Sequence, residues 1–216
     1  MPTPQIQPQE GGPEDSFDIT KVIYISRHTG VTASIEIYDL TDLVTAPYHS
    51  GEIPSQVEAL VQKQLAAGES ATWILRSNQA GKSSTPHPRP YLCTQLSGSP
   101  AGIVASWLPS AWNQGKNRIS FPPSSPHSEH DIVMLRPSPL SRTHGFVKEG
   151  VQFLWHYDGI SRRSLGLWAV IGGQESIAAQ YKAPSPFADA GGALFVDTNK
   201  IDVVVAFLTC LAMLRT

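Results

Sequence analysis

The chain has 216 residues, 41% of them hydrophobic and 16% charged, with a formal net charge of −2. That is enough for one sizeable domain, and it is poor in charge beside the roughly 25% of ordinary soluble domains. Its 17 glycines and 18 prolines argue against long helices, and its two distant cysteines, Cys93 and Cys210, against a disulfide framework or a cysteine metal site.

Residues 1–16 are polar and Pro-rich, with neither the basic start nor the apolar stretch of a signal peptide. They are expected to be a disordered leader to a single domain over 17–216. Reduced cysteines and the lack of an Asn-X-Ser/Thr sequon suggest an intracellular, cytoplasmic setting. Residues 20–26 and 32–38 alternate in polarity and predict two strands joined by a turn at His28-Thr29-Gly30. The β rhythm breaks over 55–67. There Val57, Leu60, Val61 and Leu65 recur at helical spacing, Ser55 and Glu58 form a capping-box pattern, and Gly68 supplies a stop. One short amphipathic helix on the outside of a β structure is expected.

Strand patterns resume at 71–76, 91–96, 102–107, 117–121 and 131–135, separated by Pro-rich loops at 83–90 and 122–130. Ten of the 18 prolines fall between Pro86 and Pro139, which excludes a helical bundle there. Further strands at 151–157, 164–170, 176–181 and 193–196 follow through short Gly-bearing turns. This is the spacing of a meander that closes into a barrel or a sandwich.

The last segment, residues 203–214, has Thr209 as its one clearly polar side chain. A helix without a polar face must be wrapped by protein or sit in lipid. With Asn199 as N-cap the helix would run from Lys200 to Arg215, about 24 Å, short of the roughly 30 Å of a bilayer's hydrocarbon core. The favoured reading is a buried helix, with a membrane anchor and a final buried strand as the alternatives.

Phe153-Leu154-Trp155, the turn at Asp158-Gly159, the strand ending Ile177-Ala178-Ala179-Gln180-Tyr181, the strand Gly192-Ala193-Leu194-Phe195-Val196 and the helix after Ile201-Asp202 together resemble the C-terminal half of fungal tubby-like domains. These are relatives of the tubby, phospholipid-scramblase and LURP-one-related proteins. The resemblance is strongest over 150–216, extends more loosely from Asp18, and covers neither the leader nor the Pro-rich loops. It implies a closed antiparallel β-barrel of about a dozen strands around the hydrophobic C-terminal helix. Tubby proteins bind phosphoinositides through basic residues on the barrel. That implies headgroup binding here, without a residue-by-residue correspondence.

Charge is unevenly spread: −7 over residues 1–75, +6 over 76–148 and −1 over the remainder. The basic middle either complements the acidic first third across the fold or meets an anionic surface. Arg162-Arg163 suits phosphate through paired guanidinium forks, and with Arg136, Arg142 and Lys148 it forms the candidate headgroup-binding set. His127-Ser-Glu-His130 with His144 offers metal-ligand chemistry, but in a Pro/Ser loop and without the i, i+4 spacing of a helical site. Gly81-Lys82-Ser83-Ser84 imitates the end of a phosphate loop but has Arg76 where the first glycine belongs. Trp155-His156-Tyr157-Asp158 puts its histidine and carboxylate on one strand face as a surface pair. No Gly-X-Ser-X-Gly elbow or suggestive carboxylate pair occurs. The expectation is a module without enzymatic activity, cofactor, nucleic-acid partner or transmembrane span, binding anionic phospholipid headgroups or a protein partner. The alternatives are an interaction protein with no ligand and a metal-dependent hydrolase using His127, His130 and His144.

Overall fold

The computed structural model describes residues 17–26, 34–44, 55–68, 70–77, 90–97, 102–109, 116–138, 141–158, 164–183 and 191–215. The leader, the His28 turn and most of the 83–90 loop lie outside these. Among the described residues twelve strands form one closed antiparallel barrel. They are β1 Lys21–Ile25, β2 Ser34–Asp39, β3 Trp73–Ser77, β4 Tyr91–Gln95, β5 Gly102–Leu108, β6 Lys116–Ser120, β7 Ile132–Leu135, β8 His144–Lys148, β9 Val151–Tyr157, β10 Ser164–Ile171, β11 Gln174–Lys182 and β12 Gly192–Val196. Each strand pairs with its sequence neighbours, and β1 closes on β12 with Ile23 opposite Leu194. The meander is therefore a barrel, not a sandwich.

Twelve strands spaced about 4.8 Å apart and tilted about 40° enclose a barrel about 24 Å across. That is too wide for side chains alone to fill and wide enough for one helix of about 10 Å diameter with its neighbours. The occupant is α2, Val203–Leu214, buried at every position from Val204 to Met213. Inward residues of every strand, among them Ile25, Ile37, Leu75, Trp107, Met134, Phe153 and Leu167, close round it in one continuous core. Thr209 is accommodated because its hydroxyl donates to the Val205 carbonyl (2.8 Å) and accepts from Trp155 Nε1 (3.0 Å). Where β11 and β12 pair, Gly192 leaves room for the Tyr181 ring, which any Cβ there would strike.

The helix starts later than expected. Asp202, not Asn199, is the N-cap: its carboxylate accepts from the amides of Val204 (2.9 Å) and Val205 (3.1 Å). Asn199 is held in a preceding turn by Asp197 (3.1 Å). The anchor and strand alternatives both give way. Among the described residues no helix is long and apolar enough to cross a membrane.

The second helix, α1 (Ser55–Ala66), lies outside the barrel. Its Val57 and Val61 pack on Val22, Tyr38, Leu40, Ala71, Ala193 and Phe195, most of them outward residues of β12, β1 and β2. One strand was not anticipated. β8 reads His-Gly-Phe-Val-Lys, and its first inward position is the polar His144, so no apolar alternation marks it.

Candidate functional site

Because the strands alternate in direction, connections fall alternately at the two ends of the barrel. The end where α2 begins carries the β6–β7, β8–β9 and β10–β11 connections, and the end where α2 finishes carries the β5–β6, β7–β8 and β9–β10 connections. These are called the lower and upper rims.

At the upper rim Arg215, the C-cap of α2, lies over the rings of Tyr91 (4.9 Å) and Trp107 (6.0 Å) and donates to the Tyr91 hydroxyl. Tyr91 and Trp107 stack on each other at 5.1 Å, and Tyr157 donates to the Met213 carbonyl (3.4 Å). A cation at a helix C-terminus is favourable to the helix dipole. Beside this cluster Arg136 donates through Nε to the Ser141 carbonyl (2.7 Å), shaping the β7–β8 connection, and Arg142 stands exposed in the same connection. Arg76, Lys116 and Lys182 are at or near strand ends on this rim. Among the described residues Asp158, bonded by the Ser164 hydroxyl (2.9 Å), is the rim's carboxylate, with Glu36 one residue pair deeper on β2.

His144 points inward from the start of β8, opposite Trp155, and is 1% exposed. Its Nδ1 has no hydrogen-bond partner among the described residues. Burial, and then the nearby Arg136 guanidinium, push its pKa down from 6.5 to about 4. It is a neutral imidazole at pH 7.

The lower rim is acidic. Asp18, Asp39, Asp42, Glu129, Asp131, Glu149, Glu175, Asp197 and Asp202 lie there or on its approaches. Several are paired: Asp39 with Lys21 (2.8 Å), Asp131 with Arg118 of β6, and Glu149 with Lys148 (2.6 Å). His127 reaches the Asp202 carboxylate through Nδ1 (3.0 Å), so the Pro-rich 122–130 loop is tied to the start of α2.

The candidate headgroup set is therefore divided. Arg136 and Arg142 meet at the upper rim, whereas Lys148 lies at the opposite end, in the β8–β9 hairpin and paired with Glu149. The unanticipated β8 is what separates them. Arg162 and Arg163 lie outside the described residues. The candidate metal triad also fails to assemble: His127 and His130 are at the lower rim and His144 at the upper, with β7 between. Among the described residues no three His, Cys, Asp or Glu side chains are placed to hold a metal ion. His156 and Asp158 do not pair either; His156 Nδ1 bonds the Thr143 hydroxyl (3.1 Å) and Asp158 the Ser164 hydroxyl.

Protein-family models, curated proteins and solved structures were compared with the chain, and none matches. The site therefore rests on its own geometry. Lys182 and Arg215 were missed in the sequence, where the signal available was strand parity: charges at every second connection share an end.

Proposed function

We propose that the chain is a non-enzymatic, tubby-like binding module whose upper rim docks on anionic phospholipid headgroups. The observation that carries this reading is the net charge of the two ends among the described residues: Arg76, Lys116, Arg136, Arg142, Lys182 and Arg215 outweigh Asp158 and Glu36 where α2 ends, and carboxylates outnumber Lys21, Arg118, Lys148 and Lys200 where it begins. A surface polarised in this way is drawn to an anionic leaflet by one end and repelled by the other, which sets orientation as well as attraction. The half-buried Tyr91 beside Arg215 suits the headgroup level, where amphipathic aromatic rings settle. The resemblance of residues 150–216 to tubby-like domains supports the same reading, as does the barrel with a helix inside it. The setting proposed is intracellular and peripheral to a membrane.

Co-sedimentation with phosphoinositide-containing vesicles tests it. Each basic residue near an anionic surface contributes roughly 1 kcal/mol, so Arg136→Glu with Arg142→Glu is expected to weaken binding at least tenfold. Lys148→Glu, at the other end, is expected to change it little. Equal binding to neutral vesicles, or equal loss from Lys148→Glu, rejects the proposal.

A further inference from the structure

The β7–β8 connection, residues 136–143, carries two of the upper rim's cations and, between them, a serine that headgroup docking does not use. The sequence there is Arg136-Pro137-Ser138-Pro139-Leu140-Ser141-Arg142-Thr143. Ser138 is exposed, and its carbonyl accepts from the Ser141 amide (3.0 Å), which closes a turn at the surface. Serine first and proline second is a sequence that such turns favour. Proline at the next position also steers Ser138 away from helical backbone and brings no amide N–H of its own. An accessible hydroxyl in non-helical chain, followed by proline, is what a proline-directed serine kinase takes up.

The neighbouring hydroxyls are engaged. Ser141 Oγ donates to the Thr143 carbonyl (3.3 Å) and accepts from the Thr143 amide (3.1 Å), and the Thr143 hydroxyl bonds His156 Nδ1 (3.1 Å). Of the three, Ser138 is the exposed one. The other Ser-Pro serine among the described residues, Ser125, lies at the acidic lower rim. It is half-buried, its Oγ accepts from the His127 amide (3.2 Å), and the His127 ring reaches Asp202. A phosphate there would break a loop contact and meet like charge, whereas one on Ser138 meets cations.

We infer that Ser138 is a phosphorylation site for a proline-directed serine kinase, and that its phosphate releases the upper rim from anionic headgroups. The step moves the γ-phosphoryl group of MgATP to Ser138 Oγ. The Pγ–O bond to ADP breaks, the Oγ–P bond forms, and the hydroxyl proton leaves to the kinase's base. The product carries a charge of about −1.5 to −2 at pH 7 where the serine carried none. Arg136 and Arg142 lie two residues before it and four after, and guanidinium forks suit phosphate. Among the described residues the upper rim's six cations exceed its two carboxylates by four, so one phosphate removes up to about half of that excess. Attraction to an anionic leaflet falls with it, as in other electrostatic switches. The inference rests on the headgroup reading and adds its regulation.

The test treats the full chain with MgATP and a purified mitogen-activated protein kinase, maps the phosphate by mass spectrometry, and repeats co-sedimentation with phosphoinositide-containing vesicles. Phosphate is expected on Ser138, with binding weakened about tenfold or more. Ser138→Ala is expected to bind as the wild type does and to keep binding after kinase treatment. A chain that takes no phosphate at Ser138 overturns the inference, as does a phosphorylated chain that binds as before or a Ser138→Ala chain that is still released. Those outcomes leave the headgroup reading in place. Untreated wild type that binds neutral vesicles equally rejects that reading itself, and the switch falls with it.

Discussion

The two helices are both twelve residues long and have opposite fates. α1 buries Val57 and Val61 and leaves Ala59, Gln62, Lys63 and Ala66 exposed on the barrel's outside. α2 is buried from Val204 to Met213, with strands on all sides. The difference follows from polar spacing. A polar residue every third or fourth position gives a helix one face for water, and α2 has none. α1 thus adds a satellite contact to one wall, whereas α2 is the core on which all twelve strands close.

If that contrast is right, equal surgery on the two helices has unequal effects. Phe207→Ala empties space beside Trp73 (ring centroids 5.3 Å apart) and is expected to cost about 3–5 kcal/mol, a large part of a typical domain's stability. Val61→Ala in α1 is expected to cost about 1–2 kcal/mol. Urea denaturation of both variants measures the gap, and similar losses would remove the distinction.

The next effect is acid sensitivity of the wall that surrounds α2. The folded-state pKa of His144, about 4, lies below its ordinary 6.5, so as pH falls the unfolded chain takes up the proton first. The stabilising contribution is complete above pH 6.5 and is lost progressively down to about pH 4, by on the order of 3 kcal/mol. Denaturation midpoints at pH 7 and pH 4 should show this fall, and His144→Phe should reduce it. An unchanged pH dependence in the variant would place the sensitivity elsewhere.

The smallest effect concerns how α2 is seated. Asp202→Ala removes the cap and the His127 contact and is expected to cost about 1 kcal/mol while the barrel stays closed. Thermal melting with an unchanged near-UV spectrum would support that; loss of tertiary signal would mean that the cap governs insertion of the helix.

Much of the barrel was legible because strand and helix periods are local. The outward helix at 55–67 and the strand at 151–157 were each readable from the repeat of apolar side chains, and the latter coincides with β9 (Val151–Tyr157). β8 was not legible, since a buried histidine occupies an inward position and breaks the alternation. That omission had a consequence for the site. With β8 unseen, residues 136–150 read as one connection, and Arg136, Arg142 and Lys148 seemed to belong together. Five residues of strand carry Lys148 to the other end of the barrel. Every later connection also changes ends when one strand is missed, so the grouping of charges is more fragile than the strand pattern itself.

The sequence by itself determined where the chain extends, where it coils, and that residues 203–214 must be wrapped, because the cost of exposing apolar side chains is settled within each segment. Only the tertiary structure decided which charges share a rim, that His144 is sealed beside Trp155, and that apolar side chains such as Ile103, Val133 and Val147 are left facing outward. Those properties depend on how many strands there are and which way each runs, and direction is set by the antiparallel pairing of each strand with its sequence neighbours.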